Sequence, residues 1–213
     1  MFLTVRDREM LQWINGHGFV TADQAAIWMG VSDRVGRRRL QRLVEGNYLQ
    51  KKRFALNDPQ FHWLTKEGWQ ASGDNLAPPK RINRVTYFHD WALVDLAQQL
   101  VAQTKGDFVP ERRLQAERRA EEPWRKRRWT KSHMPDGLLY IGDDKPVAIE
   151  LEISLKERAR LRDIITDYVV STTVREVWYF VTNSTVRRAI ERATKNYDDF
   201  RLFSFQLRDG SAS

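Results

Sequence analysis

Three acidic residues in the second half of the chain have a spacing that suits metal chemistry. Asp136 lies in the tripeptide PDG, and Glu150 and Glu152 lie in the tripeptide ELE. Alternate residues of a β-strand point to one side, so Glu150 and Glu152 share a face, and a hairpin partner strand can bring Asp136 beside them. Oxygen-rich clusters of this kind suit Mg²⁺ or Mn²⁺, and a bound metal can activate water for phosphodiester cleavage.

The same acids have a second interpretation, in which they face solvent or pair with a basic segment, residues 112–131. That segment holds nine Lys and Arg together with Trp124 and Trp129. Basic residues interleaved with aromatic residues can bind a phosphate backbone while stacking on bases, although a flexible charged loop has the same composition. The expected DNA contacts here are Arg125, Lys126, Arg127 and Arg128.

A second basic segment lies near the N-terminus. Arginine can make two hydrogen bonds to a guanine edge in the major groove, and Lys or Arg beside it can neutralise phosphates. Five arginines occur within nine residues, followed by a basic tripeptide: Arg34, Arg37, Arg38, Arg39 and Arg42, then Lys51, Lys52 and Arg53. This pattern predicts double-stranded DNA as a partner, and a solvated helix face is the alternative.

Residues 1–73 contain the elements that would position this basic segment. Thr4, Thr21 and Ser32 each precede an apolar helical pattern, and Gly30 ends the second helix just before the third begins. Strand-like runs at 48–54 and 60–65 flank a turn at Asn57. Three short helices followed by a basic hairpin predict a winged helix-turn-helix, with the third helix, 33–45, as the recognition helix.

Residues 72–84 combine Gly, Asn and two consecutive prolines without periodicity, which predicts a linker at 74–84 and a second domain at 85–213. Its pattern predicts a mixed α/β domain, so the whole chain is expected to be α+β. The predicted order is a helix (87–103), a strand (108–114), a loop (115–131), strands (137–141 and 146–154), a helix (155–170), a strand (176–182), a helix capped by Ser184 or Thr185, and a strand (200–207).

Both parts resemble known families. The strings LQRLVEGNYLQKKRF and FHWLTKEGWQASG are similar to bacterial winged-helix proteins, and PDG, a turn and ELE resemble the PD-(D/E)xK nuclease superfamily. That second resemblance makes Asp136 and Glu150 the motif acids and expected metal ligands, with Glu111 as a first acid. Glu152 stands where the motif lysine is expected, so Lys156 would have to substitute. The domain is therefore a non-cleaving relative, an active metal-dependent nuclease, or an unrelated α/β domain.

Taken whole, the chain resembles the replication-relaxation family of plasmids and integrative elements. The segments that carry this resemblance are HDWALVDLAQQL, VPERRL, MPDGLLYI, VAIELEIS and ITDY. It implies an accessory role in replication or conjugative mobilisation, in the relaxosome beside a relaxase or a replication initiator, and a homodimer is possible. A DNA endonuclease targeted by its winged helix and a transcriptional regulator are the alternatives.

Net charge, cysteine content and histidine spacing limit the kinds of binding and catalytic site that the chain can contain. The formal net charge is +8, which favours a polyanionic partner, and the absence of cysteine excludes disulfides and thiolate chemistry. The four histidines show no metal-ligand spacing, and His89 and His133 are expected to be structural. DNA binding therefore needs no cofactor, whereas an active nuclease site would need Mg²⁺ or Mn²⁺. No apolar run reaches the ~18 residues that span a bilayer, so the cytoplasm is the expected location.

Overall fold

A computed structural model describes residues 2–121 and 133–207 of the chain. The chain is a mixed α+β protein, as predicted, and its described residues form two compact units, one that extends to Gln98 and one from Gln99 to Leu207. Within the described part, no helix is long and apolar enough to cross a membrane.

The first unit begins with three helices, a hairpin and a short helix. Their bounds are α1 (Val5–His17), α2 (Ala22–Met29), α3 (Asp33–Glu45), β1 (Leu49–Lys52), β2 (Phe61–Leu64) and α4 (Lys66–Ser72). Thr4 begins α1 as a capping box, because its hydroxyl accepts from the amide of Asp7 and its own amide donates to the Asp7 carboxylate. Gly30 ends α2 in the left-handed conformation (φ 61°), as its predicted role requires.

The core of the first unit forms where α1, α2 and α3 meet. Met10, Leu11 and Ile14 of α1 pack with Leu40 and Leu43 of α3, and all five side chains are buried. The hairpin covers one side of this core, to which Leu49 and Leu64 contribute. Its strands β1 and β2 are antiparallel, and a β-bridge joins Val20 to His62 of β2. Burial of one α3 stripe leaves most other residues of that helix exposed, while Arg39 and Val44 are half-buried.

The boundary between the units differs from the predicted linker. Helix α5 (Tyr87–Thr104) begins in the first unit, where Gln24 of α2 donates to the carbonyl of Trp91 and to the carboxylate of Asp95. Ile82, within the predicted linker, is buried with Trp91. The first unit therefore extends to Gln98, because these buried contacts attach the start of α5 to it.

The second unit contains a five-stranded mixed sheet with the order β3-β4-β5-β6-β7. The first three strands are antiparallel, and β6 and β7 add in parallel. Helices α7 and α8 pack on one face of the sheet, over Ala148 and Tyr179. The elements are β3 (Asp107–Pro110), α6 (Glu111–Glu121), β4 (Gly137–Tyr140), β5 (Val147–Glu152), α7 (Arg158–Val169), β6 (Val177–Val181), α8 (Ser184–Thr194) and β7 (Phe200–Ser204).

Helix α6 corrects the prediction for this segment: the strand predicted at 108–114 ends at Pro110, and the first part of the loop predicted at 115–131 is helical. Leu114 is buried, Gln115 Nε2 lies 2.6 Å from Glu111 Oε1 one turn earlier, and Arg118 and Arg119 lie in the last turn, where cations favour a helix. The rest of the predicted loop, residues 122–131, lies outside the described residues. A second correction concerns α8, where Asn183 provides the cap instead of Ser184 or Thr185.

Candidate functional site

Helix α3 presents two polar stripes beside its buried one. Gly36, Leu40 and Leu43 face the core, as expected for residues spaced by three or four. The predicted arginines divide between the other faces: Arg34, Arg38 and Arg42 form an outer stripe, while Arg37 aligns with Gln41. All four of these arginines are exposed, and within the described residues none forms an ion pair.

Arg39 differs from the other four arginines because it binds a carboxylate within the fold. Its Nε lies 2.6 Å from Oδ1 of Asp7, and its Nη2 contacts Oδ2 of the same residue. Burial alone would raise the pKa of Asp7, but hydrogen bonds from Arg39 and Thr4 outweigh burial and hold that pKa below its usual value. This ion pair joins α3 to α1, so Arg39 has a structural role.

The hairpin places its predicted basic residues next to α3. Lys51, Lys52 and Arg53 are exposed. Lys51 Nζ donates to Oε1 of Gln41 at 2.8 Å, which connects the hairpin to the polar stripe of α3 that holds Arg37 and Gln41. Lys52 lies over the ring of Phe54, with 5.7 Å from its nitrogen to the ring centroid. The basic residues of helix and hairpin therefore form one surface, here called the basic surface.

A cleft of about 410 Å³ opens within this surface. Its walls are the first turn of α2, the Arg37 and Gln41 stripe of α3, and the hairpin residues Arg53 and Gln60. His62 also lines it and is 5% exposed. Burial, followed by the charge of nearby Lys51, lowers the pKa of His62 to about 4, so its imidazole is neutral at pH 7.

The acidic residues of the second unit lie around the middle of the sheet. Glu150 of β5 is fully buried; its Oε1 accepts from the hydroxyl of Tyr168 and lies 2.6 Å from Nε2 of His133. Its Oε2 has no hydrogen-bond partner among the described residues. Asp167 accepts the backbone amide of His133 at 2.7 Å, which fixes the segment that carries this histidine.

The other predicted acids have partners of their own. Asp136 Oδ2 accepts the backbone amide of Leu151 at 2.8 Å, and its carbonyl accepts the amide of Glu111 at 2.9 Å. Glu152, 5% exposed, forms an ion pair with Lys156, which lies four residues later in the loop before α7. Among residues 2–121 and 133–207, no three His, Asp or Glu side chains are arranged to hold a metal ion.

Two tyrosines lie close to Glu150, and its negative charge helps to raise their pKa values. Tyr179 is paired with Glu150 in the parallel register and is fully buried, and its hydroxyl has no partner among the described residues. Burial, and then the charges of Glu150 and Asp136, raise the pKa of Tyr179 above its usual value. Burial and Glu150 raise the pKa of Tyr168 in the same direction. Both phenols are protonated at neutral pH, and that of Tyr168 donates to Glu150.

His133 and Tyr168 are the functional candidates that sequence reasoning missed. His133 meets Glu150 across 17 residues of chain, and Tyr168 meets it across 18. No local spacing signals contacts that depend on how strands and helices pack. The predicted DNA contacts Arg125, Lys126, Arg127 and Arg128, with Trp124 and Trp129, lie outside the described residues.

Comparison with protein-family models, with curated proteins and with solved structures finds no match to this chain.

Proposed function

We propose that the chain binds double-stranded DNA through its first unit, which we interpret as a winged helix. The observation that carries this proposal is the basic surface, in which four exposed arginines of α3 adjoin three exposed basic residues of the hairpin. The four α3 arginines form no ion pair among the described residues, so their charges are available to phosphates and base edges. In this interpretation α3 enters the major groove and the hairpin is the wing.

The second unit supports an accessory role better than a catalytic one. Apart from α6, which lies between β3 and β4, the order of α5, three antiparallel strands, α7 and the parallel strand β6 is compatible with that of a PD-(D/E)xK-like domain. Protein groups already neutralise or hydrogen-bond its acids: Lys156 pairs with Glu152, and His133 and Tyr168 bind Glu150. We therefore propose a non-cleaving accessory protein of a mobile element that acts in mobilisation or replication beside a relaxase or initiator.

Fluorescence anisotropy with a labelled duplex tests the DNA-binding proposal. Replacing Arg34, Arg38 and Arg42 by Gln removes the outer stripe of α3, and affinity should fall by about 100-fold or more. Replacing Arg158, Arg160 and Arg162 by Gln is the matched control, because these exposed arginines of α7 carry the same charge. Equal loss in both variants would show that binding follows net charge and would reject α3 as the specific contact.

A metal-dependent endonuclease is the second candidate, and one observation favours it. Glu150 Oε2 is buried without a partner among the described residues. A carboxylate oxygen in that situation is available to bind a metal cation. Incubating the protein with supercoiled plasmid and Mg²⁺ or Mn²⁺ distinguishes an endonuclease from a non-cleaving accessory protein. Nicking that Asp136→Ala and Glu150→Ala abolish would establish the enzyme, and intact plasmid with saturable DNA binding would support the accessory role.

A further inference from the structure

The cleft in the basic surface has the features of a binding site as well as a charged exterior. It is concave, and its volume of about 410 Å³ lies in the range of roughly 300–1,000 Å³ that small-ligand sites occupy. Two arginines line it from different elements, Arg37 from α3 and Arg53 from the hairpin. One Arg53 nitrogen, Nη1, also donates to the carbonyl of Leu56 at 3.4 Å. Planar guanidinium groups match the oxygens of a phosphate with paired hydrogen bonds.

A third cation lies close to the cleft. Gln41, which lines the cleft, accepts a hydrogen bond from Lys51 at 2.8 Å, and this contact fixes where the ammonium group lies. The charge of Lys51 also contributes to the lowered pKa of His62, so its field reaches the buried imidazole. Asp23 adds one carboxylate to the lining. Three cations against one anion leave a local positive charge.

Neutral groups complete the lining. His62 is almost fully buried and uncharged at pH 7, so it offers a hydrogen-bonding ring. Gln60 contributes a side-chain amide from the hairpin. The first turn of α2 begins at Ala22, and amides in a first turn have no intrahelical acceptor and favour an anion. This combination selects a compact, oxygen-rich anion over an apolar ligand.

We infer that this cleft binds a single phosphate group, supplied by the backbone of DNA. The inference rests on the proposed DNA-binding function and deepens it: the outer stripe of α3 contacts the duplex, while Arg37 and Arg53 hold one phosphodiester and fix the angle between helix and hairpin. A free phosphate ester has the same chemistry, so the experiment separates the two sources.

Nuclear magnetic resonance on the full chain provides the test, with inorganic phosphate as the probe at constant ionic strength. The ring signals of His62 and the amide signals of Ala22 and Gln60 should shift saturably. Arg37→Gln and Arg53→Gln should each weaken phosphate binding by about tenfold, since each removes charge-assisted hydrogen bonds. Arg8→Gln, which removes an exposed arginine of α1, should leave phosphate binding unchanged. Unperturbed remaining signals verify the fold of each variant.

Adding duplex DNA then identifies the source of the phosphate. Displacement of inorganic phosphate by the duplex supports the inference. Phosphate binding that the duplex does not displace overturns a DNA source and assigns the cleft to a free phosphate compound. The cleft is overturned as a site by two results together. Phosphate causes no change in the signals of the cleft residues, and Arg37→Gln and Arg53→Gln bind DNA as tightly as Arg8→Gln does. That last result leaves DNA binding by the outer stripe intact, whereas failure of the full chain to bind any duplex rejects the proposed function itself.

Discussion

Arg38 and Arg39 are adjacent in the chain but differ in what their guanidinium groups contact. Arg38 is exposed, whereas the side chain of Arg39 is 23% exposed and binds Asp7, whose side chain is 5% exposed. A carboxylate in that environment depends on its partner, because an unpaired buried charge is costly. Composition alone treats the two arginines as equivalent, and only the packing of α3 on α1 separates them.

Replacing Arg39 by Met should lower the free energy of unfolding by about 2 kcal/mol, less than for a fully buried pair because Arg39 is partly exposed. Urea denaturation measures this change. Arg38→Met is the control and should stay within about 0.5 kcal/mol of the wild type. The same control variant should nevertheless weaken duplex binding. If Arg39→Met were as stable as Arg38→Met, the structural role of the Asp7 pair would be refuted.

His62 should make stability depend on pH in a defined window. Its pKa is about 4 in the folded protein, against an ordinary value of 6.5, so the unfolded chain takes up a proton that the folded protein does not. The stability contributed by neutral His62 is complete above pH 6.5 and is lost as the pH falls toward 4. The loss amounts to roughly 3 kcal/mol.

Urea denaturation of the wild type and of His62→Gln between pH 7.5 and 4 measures this contribution. The difference in unfolding free energy between the two proteins should change across that window, because only the wild type loses the histidine contribution. Other titrating groups cancel in the difference. A constant offset at every pH would mean that the pKa of His62 is not lowered.

At the scale of elements, the basic surface depends on how closely α2 and α3 approach. Gly36 lies on the buried stripe of α3, and a Cβ atom there would lie 2.6 Å from Cβ of Ala26 and 3.1 Å from the carbonyl oxygen of Ala22. Such contacts are too short, so the two helices would have to separate. Ala22 also lines the cleft, so separation of α2 from α3 would alter that site.

Gly36→Ala should therefore destabilise the protein by about 1–3 kcal/mol, the usual cost of overpacking, despite the better helix propensity of alanine. Thermal unfolding measures the change. Adding Ala26→Gly should recover part of the loss, because it removes the atom that the new Cβ meets. A more stable Gly36→Ala protein would show that the helices are not in close contact at this point.

Local patterns determine most of the elements, and contacts between distant residues determine the remainder. Gly30 and the turn at Asn57 gave the boundaries of α2 and the hairpin correctly because caps and turns act over a few residues. Residues 111–114 were predicted as the end of a strand and residues 115–131 as a loop, yet Glu111–Glu121 is helical with Leu114 buried. Burial of one leucine against the sheet outweighs the polarity of its neighbours, and a sequence does not display that packing.

For the molecule as a whole, where the formal net charge is +8, charged residues have different surroundings in the two units. The first unit presents exposed cations on α3 and the hairpin, while the second surrounds its buried acids with a histidine, a lysine and two tyrosines. The exposure of the α3 arginines follows from helical periodicity and was predictable. The pairing of Glu150 with His133 required the sheet register and the position of α7, so it was not.

Lysine footprinting tests directly whether the basic surface contacts DNA. The full chain is acetylated with and without saturating duplex, and the modified lysines are quantified by mass spectrometry. Lys51 and Lys52 in the hairpin should be protected by DNA, whereas Lys66 and Lys195, which are exposed elsewhere, should react at unchanged rates. Equal acetylation of Lys51 and Lys52 in the free and DNA-bound protein would contradict the account.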